Sequence, residues 1–376
     1  MKIRQLFGRA FVRGAIQDET LITIGDEAII DVSQTTDVPR TAERTDCLIA
    51  PGFIDVHVHG GDGADFMDAD AEQNERILRF HAKHGTTALC ATTLSGSVGD
   101  IQQAVKVIAG RIAGATQQGA EVVGIHLEGP FINRQRAGAQ DASSIRPADI
   151  HELSALLALA PRMSWMMTVA PELDGARALI EHFRNRVLFS IGHTAADYSE
   201  AAAALEWGAR HFTHLFNAMT GMHHREPGVV GAAFVSDATA ELIADGIHVH
   251  PVMLRIAATA MPHRIALVTD AMRACGLADG EYKLYGYDVR VAEGAARLPD
   301  GTLAGSVLTM GDAVKNMVEL ADVPIEMVLP LASEVPARVI GVADRKGRIA
   351  RNEDADFVLL TDKLEIDRVI VRGADA

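Results

Sequence analysis

The sequence predicts an α/β protein: a closed, TIM-like (β/α)8 barrel carrying a small β-sandwich assembled from both ends of the chain. Three observations predict it. Across residues 51–344, short apolar strands alternate with amphipathic helices, and eight strands can be counted. The two ends, 1–50 and 345–376, are β-like and break that alternation. The 376 residues accommodate one barrel of about 250 residues or more together with a small second unit. An open doubly wound sheet shows the same alternation and is the structural rival.

Taken in order, residues 53–57 read as the first strand, 70–84 as a helix and 87–93 as the second strand. Asp100 is placed to N-cap a helix whose Ile101, Val105, Ile108 and Ile112 form one buried stripe. Residues 122–127 make the third strand, followed by a helix opened by Pro147 and striped by Ile150, Leu153 and Leu157. Strand four is 165–169, with a helix over 175–183. Strand five is 187–191, with an alanine-rich helix around 201–207. Strands six, seven and eight are 211–213, 241–244 and 265–269, with a helix at 252–260 between the last two. Helices near 310–320, 324–329 and 336–340 follow, each proline standing where a helix can begin. At the ends, 21–24, 28–32, 356–360 and 368–371 are β-like, with turn chemistry at 25–26 and 345–347.

Composition narrows the function classes. The chain is 48% apolar and 23% charged, as ordinary globular proteins are, and no stretch reaches the roughly 18 uninterrupted apolar residues of a membrane span. A net charge of −15 and an aromatic content of 5% argue against nucleic acid and against acidic membranes. A small anionic substrate stays open, because one or two local cations suffice for it. Cys47, Cys90 and Cys275 stand far apart and in no CxxC pair, so neither a disulfide framework nor a thiolate metal site is expected. With no apolar signal region at the start, the cytoplasm is the expected location.

The chemistry lies at the strand ends. His57-Val58-His59 closes the first strand, where alternation sends residues i and i+2 to one side, so both imidazoles can reach one ion. On its own the pair also reads as two partly exposed histidines in a glycine-rich turn. Glu128, His193, His214 and Asp270 change that reading. They follow the third, fifth, sixth and eighth strands, on the rim where barrel enzymes carry their active sites. A lone histidine beside a strand is a structural residue; this collection reads as a metal centre. Imidazole and carboxylate without thiolate suit Zn²⁺, with Fe²⁺, Co²⁺ or Mn²⁺ as alternatives, one or two ions per chain. Glu128, His193 and His214 supply the three protein ligands of a catalytic ion that keeps a water and lowers its pKa to about 7. Asp270 is placed to take that water's proton and pass it to a leaving group, or, alternatively, to orient a ligand. After His214, Asn217 offers an amide for sugar hydroxyls and Arg225 a guanidinium for a phosphate. The alternative there is a surface loop with an Arg225–Glu226 charge pair. His248 follows the seventh strand on the same rim.

Pro51-Gly52-Phe53-Ile54-Asp55, His126-Leu127-Glu128-Gly129-Pro130, Gly192-His193-Thr194 and His214-Leu215-Phe216-Asn217-Ala218-Met219 occur in that order. Arg225-Glu226-Pro227-Gly228, Ala244-Asp245-Gly246-Ile247-His248, Val268-Thr269-Asp270 and Leu303-Ala304-Gly305 complete the series. Nearly end to end, it resembles the N-acetylglucosamine-6-phosphate deacetylase family of the amidohydrolase superfamily. The resemblance implies a metal-dependent amidohydrolase barrel that hydrolyses N-acetylglucosamine 6-phosphate to glucosamine 6-phosphate and acetate. By it, Glu128, His193 and His214 are metal ligands and Asp270 the catalytic acid/base. Ala139, Gln140, Asn217, Ala218, Arg225, His248, Leu303, Ala304 and Gly305 are substrate contacts. His57 and His59 resemble the variants able to hold a second ion. The fourth strand lacks the carboxylated lysine of many binuclear relatives, which leaves Glu128 to bridge. Gln140 stands where many members carry a substrate-contacting histidine. A homodimer is implied, with Arg225 reaching the phosphate in the neighbouring subunit's site. The rivals are the same chemistry on N-acetylgalactosamine 6-phosphate, a cyclic amidohydrolase such as a dihydroorotase, and a non-catalytic amidohydrolase-like scaffold, which should have lost ligands.

Overall fold

In the computed structural model, residues 3–113 and 119–376 are described; the side chains of 111–113, Ile112 among them, lie outside the described set. The barrel strands are β1 (Phe53–Val58), β2 (Thr86–Thr93), β3 (Glu121–Glu128), β4 (Ser164–Val169), β5 (Leu188–Ile191), β6 (His211–Phe212), β7 (Thr239–Ile243) and β8 (Ile265–Val268). β1 and β2 are buried along their whole length, which is why they read as continuous runs rather than as alternation. Each strand pairs in parallel with the next, and the order never reverses. A parallel bridge from Val58 to Ala271 and a 2.9 Å bond from the Asp270 N–H to the His57 carbonyl join β8 back to β1. The barrel is nearly closed, and the doubly wound rival, which needs a reversal of strand order, falls away.

The helices are α1 (Ala71–Lys83), α2 (Val98–Ala113), α3 (Ile150–Leu159), α4 (Ala176–Phe183), α5 (Tyr198–Trp207), α6 (Gly228–Val235), α7 (Pro251–Ala260), α8 (Met310–Glu319), α9 (Ile325–Ala332) and α10 (Glu334–Ile340). Several starts differ from the sequence reading: α10 begins at Glu334, ahead of Pro336, and α5 at Tyr198. α2 already begins at Val98, and Asp100 sits in its first turn, where it exchanges hydrogen bonds with Ser97 at 2.8 and 3.1 Å. The expected stripe of Ile101, Val105 and Ile108 is buried. α3 begins at Ile150, capped by the Asp149 carboxylate, and not at Pro147. A three-stranded antiparallel insert (Gly280–Leu284, Tyr287–Ala292, Ala295–Arg297) stands between β8 and α8. Its Tyr285 and Tyr287 hydroxyls donate to Asp100 (2.6 Å) and Asp141 (3.0 Å).

The two ends meet in one mixed sheet. Phe357–Leu360 runs antiparallel to Leu48–Pro51, and the sheet continues through Ile3–Val12, Ala15–Gly25 and Ala28–Gln34. Leu6, Ile22, Ile24, Ile29, Ile49, Phe357, Leu359 and Ile370 form a core of its own. Where this sheet meets the amino end of β3, the buried Lys346 ammonium contacts Asp356 (2.6 Å), Asp354 (2.8 Å) and Glu121 (3.0 Å). Burial would lower its pKa, but the three carboxylates outweigh that and raise it, so the charge is kept. No helix among the described residues is long and apolar enough to cross a membrane.

Candidate metal centre and substrate cavity

Three of the rim residues leave their strands in a way that periodicity does not encode. His193, His214 and Asp270 have φ of +45°, +29° and +50°, a left-handed conformation that costs a side-chain-bearing residue on the order of 1 kcal/mol. Surrounding hydrogen bonds hold them there. The Asn133 N–H donates to the His193 carbonyl (2.8 Å), the His214 N–H to Glu241 (2.9 Å) and the Ser306 N–H to the Asp270 carbonyl (2.8 Å). Gly129 gives Glu128 its exit from β3: its φ is +92°, and a Cβ there would lie 2.2 Å from Ser95 Oγ.

The side chains so placed converge. His193 Nε2 lies 3.0 Å and His214 Nε2 3.1 Å from Glu128 Oε1, and the two nitrogens are 3.0 Å apart. The Arg136 carbonyl accepts from His193 Nδ1–H at 2.7 Å, which leaves Nε2 as the nitrogen that faces the group. Buried polar atoms crowd to such range only around shared protons or a cation. Ligands of a tetrahedral Zn²⁺ at about 2.0–2.1 Å stand about 3.3 Å apart, so the residues fit one ion. A second group adjoins the first. His57 Nε2 and His59 Nε2 are 3.2 Å apart, His59 Nε2 lies 3.2 Å from Glu128 Oε2, and Asp270 Oδ1 is 3.2 Å from His59 and 3.5 Å from His57. Glu128 therefore stands between the groups: Oε1 faces His193, His214 and, at 3.4 Å, His57, while Oε2 faces His59. Both histidines are buried, at 0% and 2% exposure, which removes the reading of an exposed pair in a turn.

Charge is balanced by protons in the ion-free protein. Burial would push His57 down, but Glu241, Glu128 and Asp270 outweigh it and raise its pKa well above the ordinary value. His59, buried beside Asp270 and Glu128, is pushed up to about 9. Burial would lift Glu128, yet the His57 charge and hydrogen bonds from His193 and His214 hold it well below the carboxylate range. A divalent ion must displace these protons, so its affinity falls as pH falls.

Above the centre lies a cavity of about 330 Å³. His59, Glu128, His193, His214 and Asp270 reach it, while His57 is wholly buried and does not line it. Ala139, Gln140, Asn217, Ala218, His248, Leu303 and Gly305 line it as well. Ala304, expected beside them, does not. It is fully buried against Met272 and Ala296, and its N–H is spent on the Ala296 carbonyl at 3.0 Å. Gln140 is committed: Ser95 N–H donates to its Oε1 (2.6 Å), which fixes the amide so that Nε2 donates to Glu128 Oε2. His248 gives Nδ1 to Asp245 (2.6 Å), and Asn217 turns its amide N–H toward the His214 carbonyl (3.2 Å). Arg225 lies outside this cavity. It lines a separate one of about 670 Å³, and Arg136 borders both.

Sequence reasoning missed Glu241 and Arg136. Glu241, in β7, is fully buried and accepts from His57 Nδ1–H at 2.8 Å. A carboxylate inside an apolar strand must be paired, and that was a usable signal. Arg136 carried none beyond its charge.

Residues 48–374 match the amidohydrolase family. The chain is 41% identical to the N-acetylglucosamine-6-phosphate deacetylase of Bacillus subtilis (strain 168), over 87% of this chain and 84% of that one. It is 38% identical to the N-acetylgalactosamine-6-phosphate deacetylase of Escherichia coli O157:H7, over 95% and 94%. The solved structure of a mutant N-acetyl-D-glucosamine-6-phosphate deacetylase from Mycobacterium smegmatis, in complex with N-acetyl-D-glucosamine-6-phosphate, superposes with a TM-score of 0.94 at 32% identity, covering 100% and 99% of the two chains.

Proposed function

The chain belongs to the amidohydrolase family, and from that premise we propose how its rim centre removes the acetyl group from N-acetylglucosamine 6-phosphate, giving glucosamine 6-phosphate and acetate. The observation that carries the reading is the buried Glu128–His193–His214 trio with Asp270 beside it on one cavity. These three residues would hold the catalytic ion, Zn²⁺ by donor type, with Fe²⁺, Co²⁺ or Mn²⁺ as substitutes. When bound, it supplies Lewis-acid polarisation of the acetamide carbonyl and a lowered pKa for water. Asp270, kept ionised although burial opposes it, takes the proton of the attacking water and delivers it to the departing amine. His57 and His59, with Glu128, would hold a second ion. His248 and Asn217 face the sugar along with Ala139, Ala218, Leu303 and Gly305.

We take 51–344 as the catalytic unit and 1–50 with 345–376 as the small β domain. The three free cysteines accord with a reducing cytoplasm. The chemistry also suits the galacto epimer, on which a relative similar nearly end to end acts. Steady-state kinetics on both hexosamine 6-phosphates decide. The expected kcat/KM is about tenfold or more in favour of the gluco sugar, and the reverse order would overturn the assignment.

Arg225 serves the partner's site in a homodimer, a reading supported by its place outside its own chain's cavity. Arg225→Ala is expected to raise KM for the phosphorylated sugar far more than for the unphosphorylated one, because it removes ground-state binding. A hybrid dimer of one Arg225→Ala chain and one Asp270→Asn chain should recover about half the wild-type activity, since one site then carries both lesions and the other neither. A stable hybrid with no recovery at low substrate excludes the shared site.

A further inference from the structure

Glu241 does not line the cavity, yet it is bonded to one residue of each candidate metal group. Its Oε2 accepts from His57 Nδ1–H at 2.8 Å and from the His214 backbone N–H at 2.9 Å. Its Oε1 has no hydrogen-bond partner and lies 3.4 Å from His211 Nε2. An ionised carboxylate only accepts, so the His57 proton must sit on Nδ1. Nε2 is thereby the nitrogen turned to His59 and Glu128, and once an ion displaces its proton the lone pair points where ligation requires. In the other tautomer an N–H would point into the group and no ion could be bound there. A buried carboxylate with one oxygen poorly satisfied is costly to keep.

We propose that Glu241 is a positioning residue: it fixes the tautomer and basicity of His57, so that it sets the affinity of the second ion position. The same oxygen anchors the His214 backbone at its left-handed turn, which ties the two ion positions to one support. The inference rests on the reading that His57 and His59 hold an ion.

The test is metal titration of the full-length protein with Zn²⁺ against a competing chelator. Glu241→Gln keeps the shape and an accepting oxygen but removes the charge. It is expected to raise the Kd of the second ion about tenfold and that of the first by less; Glu241→Ala should raise the second toward a hundredfold. The downfield proton resonance of His57 Nδ1–H, assigned by its absence in His57→Ala, should vanish in Glu241→Ala and move upfield in Glu241→Gln. If the alanine variant fails to fold, the glutamine variant decides. A second-ion Kd within twofold of wild type would overturn the inference, and so would equal weakening of both ions, which marks a merely structural role. A wild type that takes up one ion under saturating metal would overturn the two-ion reading and this inference with it, before any variant is made.

Discussion

Asp270→Asn is expected to give a folded, metal-bearing protein whose kcat is lower by roughly 10²–10⁴-fold, the usual worth of a positioned general acid/base. The substitution is a clean one. Asparagine matches the size of aspartate and is among the residues that tolerate the left-handed backbone found there, at φ +50°. The backbone bonds of residue 270 to His57 and Ser306 do not involve its side chain and remain. What is lost is the negative charge beside His57 and His59 and, with it, the capacity to take a proton. Metal analysis of the same preparation separates this from loss of the ion, and the Glu128–His193–His214 position is expected to stay filled. A near wild-type kcat would remove Asp270 from the mechanism.

His193→Asn or His214→Asn should have a larger consequence. Each deletes one of three ligands, so the catalytic ion is lost and activity falls by several kcal/mol of transition-state stabilisation, on the order of 10³-fold or more. Asparagine is again preferable to alanine, because both residues have positive φ and alanine would add backbone strain to ligand loss. The contrasting variant is the double replacement of His57 and His59 by alanine, which should retain about one ion per chain. Metal content measured under replete conditions distinguishes them. If the double variant binds as much metal as the wild type, the His57–His59 pair is reduced to buried structural histidines.

The barrel was legible because its strands are mostly buried and read as apolar runs of the right length, several of them closed by a polar residue. The rim ligands were legible for the same reason: Glu128, His193, His214 and Asp270 stand where the apolar run stops. What was not legible has physical causes. α6, Gly-Val-Val-Gly-Ala-Ala-Phe-Val, is apolar on every side and mostly buried, so it has no stripe to detect. The insert over 280–297 is short, largely exposed and polar, and its position depends on the hydroxyls of Tyr285 and Tyr287 reaching distant carboxylates. The burial of Ala304 and the commitment of Gln140 to Ser95 and Glu128 are outcomes of packing between segments far apart in sequence. The left-handed turns at His193, His214 and Asp270 are only hinted at by residue type, histidine and aspartate being enriched in such backbone without being confined to it.

The pairing of Leu48–Pro51 with Phe357–Leu360 sets a clock on the protein's synthesis. The strand that feeds β1 must wait for a partner roughly 300 residues downstream, which at 5–20 residues per second is about 15 to 60 s of translation. Throughout that interval the chain carries an apolar, unpaired edge of the kind that recruits other chains. Folding of the barrel ahead of release leaves that edge open, and Glu121 at the start of β3 has yet to meet Lys346. Residues 345–376 give no side chain to the cavity. A ribosome that stalls before residue 357 nonetheless leaves every ligand synthesised and the molecule unfinished, a natural substrate for chaperones or for degradation.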